Sequence, residues 1–173
     1  MNSIALNKME SKWYAIGTRY KCEKQVLKDL FSKQIDAYVP FIEKVKRYSK
    51  KIKRYQIPLI NCYVFVKIDD TERAKVLQTE HVINFIKPGK VMAAIPEHEI
   101  NVLKRLVGDL DHEVQVLSEG PSEGDDVEII KGPLLGLKGK MISKENKNVV
   151  IINLENLGFQ FSVTMDKSLL KKI

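Results

Sequence analysis

The sequence predicts an α+β protein in which an antiparallel sheet with helices is followed by a small all-β barrel. Three observations lead there. Up to about residue 108, short β-forming runs alternate with stretches of helical periodicity. Between Asp109 and Asp126, acidic residues with Gly120, Pro121, Ser122 and Gly124 interrupt any periodicity. Beyond that break come only short, evenly spaced strands, the pattern of a strongly bent barrel. The expected divisions are a disordered lead over 1–11, an α/β sandwich over 12–108, a linker over 109–123 and a barrel over 124–173.

The elements follow in order. Trp13-Tyr14-Ala15-Ile16-Gly17-Thr18 is aromatic and partly β-branched and ends in a polar turn, which predicts a strand. Lys21 to Gln34 places Val26, Leu27, Leu30 and Phe31 on one face of an amphipathic helix, with Cys22 in register as a buried thiol. Ala37 to Ile42 returns to strand character, and Pro40 confines it to an edge or a bulge. Cys62-Tyr63-Val64-Phe65-Val66 is a β-forming run apolar on both faces: Tyr63 and Phe65 on one, Cys62, Val64 and Val66 on the other. Such a strand needs two covers, one of which a partner could supply. Asp69 or Asp70 is placed to cap a helix running to about Gln78, and a strand at Val82–Ile86 ends at Pro88-Gly89. Pro96 opens a last helix whose inward face is Ile100, Leu103 and Val107. Glu97 and Glu99 begin it and Lys104 and Arg105 end it, as the helix dipole favours, and Gly108 stops it. Barrel strands are expected at Val127–Lys131, Gly139–Ser143, Val149–Leu154 and Phe159–Thr164.

The charge is unevenly spread. Of the net +7, residues 1–110 hold 21 Lys/Arg against 12 Asp/Glu, a net of +9, and the rest is −2. A basic first part is suited to nucleic acid, and a near-neutral second part to another task. The densest stretch is Lys44 to Tyr55, where Lys44, Lys46, Arg47, Lys50, Lys51, Lys53 and Arg54 occur with Tyr48 and Tyr55 and no acid. One-signed charge with interleaved aromatics is the composition of a phosphate-tracking, base-stacking surface. A solvated loop is the plainer alternative. Nothing approaches the roughly 18 apolar residues of a membrane span, and Met1–Lys12 lacks the apolar core of a secretory signal, so a cytoplasmic location is expected.

Catalytic constellations are missing. There is no phosphate loop, HExxH or GxSxG pattern, and Cys22 and Cys62 form no CxxC pair. His81, His98 and His112 have no ligand spacing, so neither metal nor cofactor is expected. Gly132, Gly136 and Gly139 lie between two short strands with no helix N-terminus after them, which predicts a barrel turn and not an anion cradle. The reading is a binding protein and not an enzyme.

Three motifs in this order resemble one family. Trp13-Tyr14 resembles the opening strand of the NusG N-terminal domain. Pro58-Leu59-Ile60-Asn61-Cys62-Tyr63-Val64-Phe65-Val66 is similar to that domain's Phe-Pro-Gly-Tyr-Val-Phe-Val strand. Val127 to Gly139, with Gly132-Pro133, is similar to a KOW motif. The resemblance covers about residues 12–173. It implies a monomeric transcription elongation factor whose N-terminal domain docks on the clamp helices of the RNA polymerase largest subunit, modulating pausing or termination. It further implies a KOW barrel that recruits termination factor Rho or a small-subunit ribosomal protein.

By position, Ile60 stands where the family has an interface Phe, Tyr63 on its Tyr, and Phe65 on the aromatic of specialised members. Leu157-Gly158 resembles the partner-contact turn. Arg19, Lys21 and Lys24 fall where the family contacts non-template DNA of the bubble; Lys50, Lys51, Lys53 and Arg54 are the second set expected to meet nucleic acid. Ile60-Asn61-Cys62 departs from Phe-Pro-Gly, leaving a less aromatic docking surface. That version and the long basic hairpin look like specialised antiterminator paralogs such as RfaH and UpxY. The competing function is a ribosome-associated or general RNA-binding KOW protein, for which a −2 second part is poorly suited.

Overall fold

The computed structural model describes residues 10–87, 93–117 and 123–173. Its chain divides into two compact units, one of residues up to Val39 with Asn61–Pro96, the other of Pro40–Ile60 with Glu97–Ile173.

The first unit is an antiparallel sheet with helices. Its strands are β1 (Lys12–Thr18), β2 (Asp36–Tyr38), β5 (Tyr63–Ile68) and β6 (Val82–Phe85), in the order β2-β5-β1-β6. β5 lies centrally because it is apolar on both faces: Val64, Phe65, Val66 and Ile68 are all fully buried. Its register on β1 pairs Phe65 with Ala15 and Val64 with Ile16. On one face Tyr14 meets the edge of the Phe85 ring, and the Arg73 guanidinium lies over Tyr14. On the other face Phe65 stacks on Tyr38 with ring centroids 6.5 Å apart. Helix α1 (Glu23–Ser32) packs on β2 and β5 and buries Val26 and Leu30.

Several expectations shift here. Phe31, predicted to face inward, is 55% exposed, and Leu27 is half-buried. Cys22 is half-buried at the helix start, its thiol donating to the Tyr20 carbonyl, because α1 begins only at Glu23. Pro40 ends the edge strand outright: β2 stops at Tyr38 and the chain enters a different sheet. Asp69 caps a 3-10 turn (Asp70–Glu72) with a reciprocal capping box, and α2 (Arg73–Leu77) continues it, one helical run in two geometries. Pro88 and Gly89 lie outside the described residues.

The second unit holds a two-stranded ribbon, a helix and the barrel sheet. The ribbon is β3 (Phe41–Arg47) with β4 (Ile52–Pro58). Helix α3 (Glu97–Gly108) buries Glu99, Ile100, Leu103 and Leu106; Val107, expected inside, is half-buried. The barrel strands are β7 (Glu113–Leu117), β8 (Asp125–Ile129), β9 (Lys138–Lys144), β10 (Lys147–Leu154), β11 (Phe159–Thr164) and β12 (Leu170–Lys172), ordered β12-β8-β9-β10-β11-β7. Alternation along β10 sends Val150, Ile152 and Leu154 to the same side, and they are buried along with Phe161 and Val163 of β11. β7 corrects the sequence reading: residues 113–117, assigned to the linker, pair with β11 from Glu113↔Thr164 to Leu117↔Gln160. Glu113-Val114-Gln115-Val116-Leu117 does alternate polar and apolar, but five residues beside a Gly/Pro-rich break are too short a signal to separate from it.

Candidate partner and nucleic-acid interfaces

Tyr63 opens β5, and its neighbours across the sheet are Gly17 on β1 and, beyond it, Asn84 on β6. The turn before it, Asn61-Cys62, has Cys62 at φ 63, and the buried Glu23 carboxylate at the start of α1 accepts from the Cys62 N–H at 2.8 Å. This bond ties the first residue of α1 to the turn before Tyr63. Tyr63 is half-buried, enough for desolvation to push its hydroxyl pKa up from the usual 10.0. Burial raises Tyr38 as well.

The three residues expected to meet polymerase do not form one exposed face. Phe65 is 0% exposed and Ile60 is 4% exposed. The two-sided apolar pattern of β5 is therefore satisfied within the protein, and Phe65 belongs to the core. Tyr63 alone of the three offers surface.

Among the basic residues, Arg19, Lys21, Lys24, Lys50, Lys51, Lys53 and Arg54 are all exposed. Arg19, Lys21 and Lys24 flank the entry to α1, where Lys21 takes φ 62 and its Nζ lies 5.4 Å from the Tyr20 ring centroid. The second set is not brought together on one face. In the β3–β4 register, Lys46 opposes Lys53 while Arg54 opposes Val45, so Lys53 and Arg54 point to opposite sides of the ribbon. Lys50 and Lys51 lie in the turn.

In the barrel, Gly132 and Gly136 adopt φ 84 and 85, the left-handed turn geometry glycine permits. Gly139 is there for a different reason: a Cβ on it would run into the Ile151 carbonyl oxygen of the neighbouring strand. Gly158 is exposed at φ 74, but Leu157, expected to contact a partner, is only 8% exposed. The Glu99 carboxylate of α3 accepts from the Leu157 N–H at 3.0 Å, the Asn156 N–H at 3.2 Å and Asn156 Nδ2 at 2.9 Å. Arg105, two turns along α3, donates to the carbonyls of Pro133 and Leu135, the latter at 2.7 Å. α3 thereby holds both turns singled out in the sequence.

Sequence reasoning missed Glu99 and Arg105. Each suits the helix dipole at its position, and that local account left no sign of a longer-range role. Among the described residues no group of His, Cys, Asp and Glu could hold a metal ion, and no helix is long and apolar enough to cross a membrane.

The family model described as NusG, transcription termination factor nusG, matches residues 11–104. The chain belongs to the NusG family. The solved structure reported as "Domain interaction in Thermotoga maritima NusG" is similar over 95% of this chain and 98% of that one, at 22% identity and TM-score 0.55, a likeness of fold. The MjSpt4:Spt5 complex aligns over 93% of this chain and 97% of that chain at 19% identity, with a TM-score of only 0.30. No curated protein matches in sequence. The NusG-family match contains β1 through β6 and ends inside α3, so it includes Tyr63 and Glu99 and excludes the barrel turns that α3 holds.

Proposed function

We propose that this NusG-family protein is a transcription elongation factor that binds the clamp helices of the RNA polymerase largest subunit and modulates pausing or termination. Its loop and hairpin favour the specialised, operon-specific antiterminator branch. It works by binding and not by catalysis. The observation that carries this reading is the family match across residues 11–104, within which half-buried Tyr63 opens the central strand. Docking centres on Tyr63; Ile60 and Phe65 are buried and present no side chain to the polymerase. The barrel recruits a second protein, Rho or a small-subunit ribosomal protein, through the turn at Leu157 and Gly158, once Glu99 has released that turn.

The test is affinity of the full chain for core RNA polymerase. Removing an aromatic anchor from a binding surface costs about 2 kcal/mol or more, roughly 30-fold in Kd. Tyr63→Ala is expected to lose at least that while keeping the circular dichroism spectrum of the wild type. Wild-type chain that captures no core polymerase would refute the function; a folded Tyr63→Ala that binds as tightly as wild type would refute the site.

A further inference from the structure

The β3–β4 ribbon has two chemically different sides. Residues opposite each other in an antiparallel pair share a face, and alternate residues along each strand do too. The register Lys44↔Tyr55 and Lys46↔Lys53 therefore places Lys44, Lys46, Lys53 and Tyr55 together. Tyr48 joins them, since the Lys46 ammonium lies 5.4 Å from its ring centroid. The opposite side carries Glu43, Val45, Arg47, Ile52 and Arg54, and the Arg54–Glu43 pair at 3.4 Å confirms that grouping. One side is thus three lysines and two tyrosines with no acid. The other mixes two arginines with a carboxylate and two exposed apolar residues, Val45 at 51% and Ile52 at 63%.

From this sidedness we infer that the lysine–tyrosine face of the ribbon binds single-stranded nucleic acid, while the arginine face does not. The inference rests on the reading of the chain as a transcription factor, which puts single strands within its reach. Lys44 and Lys46, alternate residues about 6.7 Å apart along β3, with Lys53 across from Lys46 on β4, present a patch of three exposed positive charges to a phosphate backbone. Tyr48 and Tyr55, 46% and 39% exposed, offer ring faces on the same side, and unpaired bases stack on such rings whatever their sequence. Duplex bases are already stacked and have no use for those rings. On the arginine side the carboxylate of Glu43 offsets one guanidinium, and no aromatic is present for a base to stack on.

The experiment removes equal charge from each side of the full-length protein. Binding of a fluorescein-labelled oligothymidylate, without polymerase, is followed by anisotropy over a range of salt. Each phosphate contact on a single strand contributes about 0.7 to the log–log salt slope, so Lys46→Ser with Lys53→Ser should make the slope shallower by about 1.4. Arg47→Ser with Arg54→Ser should leave it unchanged. Tyr48→Ala with Tyr55→Ala should weaken binding about five-fold or more at constant salt slope. Equal losses from the two charge variants would overturn the inference, as would tighter binding of the same-length duplex or no binding by the wild type in low salt. Core-polymerase affinity, measured separately, is expected to be unchanged in all three variants, so failure of the ribbon assignment and failure of the polymerase reading give different results.

Discussion

Removing the Glu99 side chain should loosen the turn at Leu157 without unfolding the barrel. Its carboxylate receives three hydrogen bonds from that turn and is itself 4% exposed. The three are not equivalent. Asn156 is exposed, so water replaces its two bonds at little cost. Leu157 is 8% exposed, and its N–H would be left buried and unpaired, which costs about 1–3 kcal/mol. Taking about 2 kcal/mol, amide exchange at Leu157 in Glu99→Ala should run roughly 30-fold faster than in wild type. Glu99→Gln keeps one acceptor oxygen and should fall between. The Leu135 amide, which donates to Gly132 in the turn that Arg105 holds, is the internal control and should keep its protection. A folded Glu99→Ala whose Leu157 amide exchanges as slowly as wild type would refute the hold of Glu99 on that turn. Equal acceleration at Leu135 would show that α3 grips the barrel as one unit, not through two separable contacts.

Three further outcomes follow from the packing and the backbone. Phe65→Ala should lower unfolding stability by about 3–5 kcal/mol in urea denaturation, because it empties a fully buried site stacked on Tyr38; a loss below about 1 kcal/mol would return Phe65 to the surface role first expected of it. Gly139→Ala should cost about 1–3 kcal/mol by forcing β9 away from the Ile151 carbonyl. Gly132→Ala meets nothing within 4 Å and should cost only its left-handed backbone, about 1–2 kcal/mol, without disturbing the β9–β10 amide signals that Gly139→Ala shifts.

The sequence by itself determined most of the elements and the order of the two folds, though not β7 or β12. Trp13–Thr18, the Pro96–Gly108 helix and four of the six barrel strands, β8 to β11, are legible because local chemistry agrees with final structure there: β-branched runs, a proline at the helix start, glycine at turns. It also determined where the basic residues concentrate, since charge is a property of the chain before folding. What it could not decide is which side of an element meets what. Alternation showed that Tyr63 and Phe65 share a face of β5, but whether that face is surface or core depends on Tyr38 and other groups far off in the chain. Lys53 and Arg54 are neighbours in sequence and opposites in space, and only the β3–β4 register assigns their sides. Glu99 and Arg105 satisfied a local rule so well that nothing pointed past it; their bonds to Leu157 and Leu135 span 58 and 30 residues. Hydrophobic periodicity and turn chemistry act over a few residues and are written in the sequence. Burial, register and long-range hydrogen bonds depend on packing between distant segments, so the tertiary structure decides them.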